Sequence, residues 1–159
     1  MSVTIREYET RDRVAAERCL AVLQDFERAF ESDRVESNAM CIPYLNFLLS
    51  KCESAQGKMF VAEVEGEVIG FSSVWIDQGL DDFISDRKPV AYLSDSVVVP
   101  AFRDKGIGTS LLRVREDYAR SLGVKNLKVE VLWKNAGMRE FVTAQGFREY
   151  GVSFVKHLK

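Results

Sequence analysis

At 159 residues and 47% apolar side chains, the chain has the size of one domain, residues 1–159, and enough apolar material for a sizeable core. Its 22 basic and 24 acidic side chains leave a formal charge of −2, which excludes a strongly basic nucleic-acid binder. No apolar run approaches the roughly 18 residues a bilayer span needs, and the polar start of the chain is unlike a leader, so a cytoplasmic location is expected.

Residues 3–8 alternate and predict a short strand. Thr10 can cap a helix that carries Cys19, Leu23, Phe26 and Phe30 on one face. After a polar break over 31–38 comes a second helix, with Leu45, Leu48, Leu49 and Cys52 inward and Pro43 tolerable only near its first turn. Residues 59–64 and 68–76 flank Glu65-Gly66-Glu67 and predict a hairpin. Residues 77–88 form a charged loop, and 90–99 a further strand. A glycine-containing turn then opens a helix that runs to about Leu122, with Ile107, Leu111, Val114, Tyr118 and Leu122 as its apolar stripe. Residues 126–132 alternate as a strand, a helix runs from Asn135 to Gly146, and 147–156 predict one or two final strands. Cys19, Cys41 and Cys52 lack Cys-x-x-Cys spacing, and His157 is the single histidine, so buried thiols are expected and no metal site.

The chemistry concentrates in Val97-Val98-Val99-Pro100-Ala101-Phe102-Arg103-Asp104-Lys105-Gly106-Ile107-Gly108-Thr109. A strand, a glycine turn and a helix start together offer unpaired N–H groups to a phosphate. Gly106 and Gly108 permit close approach to the main chain, and Arg103 and Lys105 add positive charge beside it. A nucleoside-triphosphate loop needs Gly-Lys-Ser/Thr after four spacer residues, which follows no strand here. A dinucleotide fingerprint needs a third glycine where this chain has Leu111.

The remaining pattern, Arg103-x-x-Gly106-x-Gly108 after a Val-Val-Val-Pro strand end, resembles the acyl-coenzyme A signature of the GCN5-related N-acetyltransferase (GNAT) family. A second segment, with Asn135, Phe141, Gly146 and Phe147 in register, is similar to that family's Asn-x-x-Ala-x-x-Phe-Tyr-x-x-x-Gly-Phe motif; it also reads as a capped amphipathic helix with a glycine stop. The resemblance covers most of the chain and is strongest over 92–147.

The resemblance implies an α/β fold: one mixed sheet of about six or seven strands flanked by about four helices. It implies that the strands at 90–99 and 126–132 part beyond a bulge in the first, and that the pantetheine arm of acetyl-coenzyme A fills the gap. On that basis the backbone of Val97, Val98 and Val99 would pair with pantetheine, with the Val98 N–H polarising the thioester oxygen. Residues Arg103, Asp104, Lys105, Gly106, Ile107, Gly108 and Thr109 would hold the diphosphate, and Asn135 would bond the pantetheine arm.

Two positions depart from the family pattern. Val142 stands where many members carry a tyrosine that protonates the leaving sulfur, and Ser94 where many carry a glutamate base. Asp95 acting through water, with Tyr92 second, is the expected route for removing the acceptor's proton; Tyr150 is a remote replacement acid. A thiolate with a pKa near 8.5 leaves tolerably without an acid, so orientation and the oxyanion contact are expected to supply most of the rate. The activity implied is acetyl transfer from acetyl-coenzyme A to a primary amine. The alternative is a non-catalytic acyl-coenzyme A binding module with a degenerate site.

The acidic residues Asp77, Asp81, Asp82 and Asp86, and Asp25, Glu27, Glu31, Asp33 and Glu36 at the end of the first helix, can draw a cationic acceptor or be plain solvated surface. Phe26, Phe30, Tyr44 and Phe47 can line an acceptor cleft or belong to the core. The apolar residues of the final strands can pair across a homodimer or complete the chain's own sheet.

Overall fold

The computed structural model describes residues 2–78 and 89–158. Its elements run β1 (Val3–Glu7), α1 (Arg13–Arg28), α2 (Ser37–Ser54), β2 (Lys58–Val64), β3 (Glu67–Asp77), β4 (Val90–Val98), α3 (Ile107–Ser121), β5 (Asn126–Val129) and α4 (Ala136–Ala144), with short 3-10 turns before α1 and after β4. The five strands form one sheet in chain order. β1 to β4 pair antiparallel and β4 pairs β5 parallel, so the sheet is mixed.

Helices cover both faces. On one, Leu20 of α1 and Leu45 and Leu48 of α2 meet Val61, Phe71 and Trp75 of the sheet. On the other, Ile107, Leu111 and Leu112 of α3 meet Phe60, Val74, Ala91 and Leu93, with Phe141 of α4 at the margin. Each fully buried large side chain contributes about 1.5–3 kcal/mol, so the sheet's central strands are the most strongly held. Cys19, Cys41 and Cys52 are free and buried, and burial pushes the Cys19 and Cys52 thiols up to about 11.

The hairpin between β2 and β3 turns on Glu65 and Gly66 with φ of 52° and 84°. That is the two-residue turn whose twist matches the strands.

Several expectations shift. The chain end does not form strands: residues 147–158 run without regular structure and largely exposed, so the sheet has five strands among the described residues rather than six or seven. Phe147 packs at the margin of the α3 side, the apolar residues after it are turned to solvent, and the segment pairs with neither free edge of the sheet. Glu9, not Thr10, caps the first helical turn, in a reciprocal pair with Asp12. Pro43 lies seven residues into α2 rather than in its first turn. Phe26 is exposed, whereas Gln24 is buried on α1. The buried stripe of α3 runs through Ile107, Leu111, Leu112, Arg115 and Ala119; Leu122 lies outside it. β5 ends at Val129, three residues short of the predicted limit. Of the acidic loop, Asp81, Asp82 and Asp86 lie outside the described residues.

Candidate active site

β4 carries the site because its regular alternation is broken once. Ser72 faces Ser96 and Val74 faces Leu93, so Ser73 alone on β3 opposes both Ser94 and Asp95. This is a bulge in β4. Tyr92 packs on the α1/α2 face and Leu93 on the α3 face. Strict alternation would then send Asp95 towards α3. The bulge instead turns it to the α1/α2 side, where the Tyr44 hydroxyl of α2 donates to Asp95 Oδ2 at 2.9 Å. The Ser94 hydroxyl donates to the same oxygen at 2.8 Å. Among the described residues, Oδ1 receives no hydrogen bond.

At the same level β5 leaves β4. Parallel pairing covers Val90 to Leu93 against Asn126 to Val129 and stops there. Beyond the bulge, β4 keeps β3 on one side only. Val99 N–H donates to Ile69 O at 2.9 Å, and Val99 O accepts from Phe102 N–H at 3.0 Å. Alternation therefore aims the Val98 N–H and C=O into the gap and the Val97 groups towards β3. An added Cβ at Gly70 would sit 2.5 Å from Val97 O, which shows how closely that side is packed. Of the three valines, Val98 alone presents both backbone groups to the open edge.

The turn after β4 reverses the chain through two residues in the left-handed region, Asp104 at φ 59° and Gly106 at φ 78°. Gly106 precedes the first turn of α3, and a Cβ built there meets nothing within 4 Å. Among the described residues, the N–H groups of 104 through 109 donate to no protein acceptor; Ser110 N–H is the first of α3 to bond, to Gly106 O at 3.0 Å. Six consecutive amides are thus left without a protein acceptor at the positive end of α3. Ile107 is buried in the core, so it has only its amide to offer, while Gly108 and Thr109 are half-buried.

The cationic side chains stand elsewhere than their spacing suggests. Arg103 Nε donates to Val98 O at 2.9 Å, and its guanidinium lies 5.1 Å from the Phe26 ring. Lys105 Nζ donates to Ala101 O at 3.1 Å. Asn135 caps α4, its Oδ1 accepting Met138 N–H at 3.1 Å, which leaves its amide N–H₂ for other partners.

Tyr92 stacks on Trp75 at 5.1 Å, and Lys128 lies over its ring. Burial, with Glu130 adding to it, pushes the Tyr92 phenol up to about 12. It is a packing aromatic that stays protonated. Burial and then the Asp95 charge push the Tyr44 phenol further up still, so Tyr44 is a fixed donor to Asp95. Tyr150 lies in the irregular tail, largely exposed.

A cavity of about 280 Å³ opens beside Asp95, lined also by Tyr44, Glu27, Arg34, Val35 and Met40. Of the aromatic residues considered for the cleft, Tyr44 lines it; Phe47 stacks behind Tyr44 at 5.8 Å and Phe26 packs under Arg103. A larger hollow of about 430 Å³, lined by Arg6, Arg18 and Glu67, lies at the other end of the sheet, away from the bulge.

Behind the bulge lies a residue that the sequence reading missed. Arg115 of α3 is 2% exposed and donates to Leu111 O at 3.2 Å and Ser73 O at 3.4 Å. Burial pushes its guanidinium down to about 10. Ser73 is the residue left facing two on β4, and Arg115 partners its carbonyl. Helical spacing from Leu111 could have shown that position 115 faces the sheet, but an arginine there reads as solvent-facing.

The profile of the Acetyltransferase (GNAT) family matches residues 20–147. The chain belongs to the GNAT acetyltransferase family. Over 148 residues it is 30% identical to an uncharacterized N-acetyltransferase, YhfO, of Bacillus subtilis, covering 92% of this chain and 91% of that one. It is 27% identical over 103 residues to an aminoglycoside N(6')-acetyltransferase type 1 of Klebsiella aerogenes, covering 65% and 66%. Among solved structures, the fold is similar to AAC(6')-Iy in complex with a bisubstrate analogue, CoA-S-monomethyl-acetylneamine, with a TM-score of 0.74, 16% identity, and coverage of 100% of this chain and 99% of that one. This GNAT chain is thus an N-acetyltransferase by family. No helix among its described residues is long and apolar enough to cross a membrane.

Proposed function

We propose that this GNAT protein transfers an acetyl group from acetyl-coenzyme A to a primary amine on a cationic small molecule. The observation that carries the reading is the open edge of β4 beyond its bulge, continuous with the six unpartnered amides of residues 104–109. The residues present fit the cofactor. A diphosphate needs main-chain donors without a side chain in the way, and Gly106 supplies both room and the left-handed φ. An extended pantetheine arm needs a strand edge, and Val98 offers one N–H and one C=O.

When bound, acetyl-coenzyme A supplies an activated acyl group as a thioester. The chain's residues do the rest. The amides of 104–109 would hold the phosphates, and the Asn135 amide N–H₂ would bond the arm. The Val98 N–H, set by strand geometry, would donate to the thioester oxygen. Asp95 Oδ1 faces the acceptor and takes its proton through water, while Tyr44 and Ser94 fix the carboxylate by its other oxygen. Tyr92 takes no proton and packs the floor. Val142 has no proton to offer a departing sulfur, which would leave as a thiolate. Binding the cofactor requires Arg103 to exchange its bond to Val98 O, since that carbonyl lies in the gap.

The acceptor cavity supports a cationic amine, because Asp95 and Glu27 both line it. The likeness to aminoglycoside acetyltransferases supports the same class. The test is a panel of monoamines, diamines and aminoglycosides followed by free thiol release, after coenzyme A binding has been measured by calorimetry. Thiol release that depends on the amine supports the reading. Tight cofactor binding with no release from any amine would favour a non-catalytic binding module.

The tail supports a homodimer. Phe154 and Val155 are 94% and 97% exposed, and β5 has no strand on its outer side among the described residues. An extended apolar segment and an open strand edge in one chain complement each other across a twofold axis.

A further inference from the structure

The acceptor cavity already holds a cation of the protein's own. Arg34, in the connection between α1 and α2, places its Nη1 2.7 Å from Glu27 Oε2. Both side chains are partly buried, at 32% and 21% exposure, and both line the cavity that reaches Asp95. The connection is fastened from behind: Gln24, itself buried, donates from Nε2 to Val35 O at 2.7 Å. This bond holds the Arg34 segment against α1 and keeps its guanidinium at the cavity.

Burial raises the Glu27 carboxyl above its ordinary range, Arg34 opposes this, and the Asp95 charge adds to the rise. The two carboxylates therefore feel each other across the cavity. With Arg34 withdrawn, the cavity would carry two negative charges and one small apolar wall.

We infer that Arg34 is a resident stand-in for the acceptor's second cationic group, and that Glu27 is the residue that selects diamines. The inference rests on the reading that this cavity takes the acceptor. One ammonium goes to Asp95, where it loses its proton and is acetylated. The other goes to Glu27 and displaces the Arg34 guanidinium. A monoamine has nothing to exchange for Arg34 and gains only the Asp95 end. The cost of moving Arg34 falls on every diamine alike, so removing it tightens their binding. Glu27 is a specificity-determining residue in this scheme, and Arg34 a competitor built into the fold.

The experiment measures binding of 1,5-diaminopentane and 1-aminopentane to the full chain saturated with coenzyme A, by calorimetry. Wild-type protein is expected to bind the diamine at least tenfold more tightly than the monoamine. Arg34→Gln should tighten the diamine at least threefold, and by more than it tightens the monoamine. The isosteric Glu27→Gln should bring the two amines within about twofold, which keeps the inference testable if the Arg34 variant folds poorly. Equal binding of both amines to wild-type protein, no binding of either, or weaker diamine binding in Arg34→Gln would each overturn it. Thiol release from acetyl-coenzyme A, followed in parallel, separates the two claims. Release with no diamine preference removes this inference and leaves the transferase; preference without release does the reverse.

Discussion

The Tyr44 hydroxyl reaches across from α2 to donate to Asp95 Oδ2 at 2.9 Å, and it can do so only because the β4 bulge turns Asp95 towards that helix. Two residues 51 apart in sequence thereby meet at the proposed acceptor site. Neither could work alone: without Tyr44 the carboxylate loses one of two donors, and without the bulge it faces α3.

Asp95→Asn is expected to lower kcat by about 10²-fold near neutral pH, the lower range for loss of a positioned base. The acceptor ammonium has a pKa near 10.4, so the deficit should shrink as pH rises and the amine deprotonates unaided. Tyr44→Phe should reduce kcat by about tenfold or less, since Ser94 still holds Oδ2. Tyr92→Phe should leave kcat near wild type, because its phenol, pushed up to about 12, stays protonated throughout. Steady-state kinetics from pH 6 to 10 check all three. A pH-independent deficit in Asp95→Asn would assign the residue to positioning rather than proton removal.

Gly106→Glu should abolish stabilisation by coenzyme A. At a hundredfold excess over Kd, the ligand stabilises the wild-type fold by about 2.7 kcal/mol, which for a domain of this size raises Tm by roughly 5–10 °C. The variant sets a side chain and a negative charge beside the amide cradle, at a residue with φ of 78°. Thermal unfolding with and without coenzyme A reads the difference. A shift as large as the wild type's would place the phosphates elsewhere.

Asp12 links stability to acid pH. Arg6 donates to both its oxygens, at 2.7 and 2.8 Å, and the Glu9 N–H donates at 2.8 Å. The Arg6 bonds hold the Asp12 carboxyl below its ordinary range, against the opposing effect of burial. A folded-state pKa below the unfolded value of about 3.9 means the stabilisation is complete above that value and lost as pH falls through the folded one. Asp12→Asn should therefore cost about 3 kcal/mol at pH 7, the lower range for breaking a buried pair because Arg6 retains Glu63 at 2.6 Å. Urea titrations at pH 7 and pH 3 should show the gap between variant and wild type narrowing at the lower pH.

The proposed homodimer rests on the tail. Sedimentation should show a dimer for the full chain, and a monomer when Phe154 and Val155 are both replaced by aspartate, since charge is disfavoured at a β-pairing edge. Coenzyme A stabilisation should survive in that variant. A monomeric wild-type chain would leave those exposed side chains without this explanation.

The strand, turn and helix start of the proposed cofactor side were legible along the chain because they are local. The strand end at Val97-Val98-Val99, the turn through Gly106 and the start of α3 lie within 15 consecutive residues, and spacing encodes their geometry directly. The hairpin at Glu65-Gly66 and the cap at Asn135 are local in the same sense. The acceptor side was not legible. Asp95 points at α2 only through a bulge that depends on how β3 and β4 register, and period-two reading assigns it the wrong face. Arg34, Glu27 and Tyr44 meet because α1 and α2 pack on one face of the sheet, a consequence of burial distributed over many residues. Arg115 is a charged residue type on a helix, and only the packing of α3 on the sheet sets it against Ser73. The final apolar residues alternate as a strand does, yet a strand exists only where an edge pairs with it, and they pair with neither free edge of the sheet. Sequence determined what contacts near neighbours; only the tertiary structure decided which distant side chains share a cavity, because that follows from the packing of whole elements.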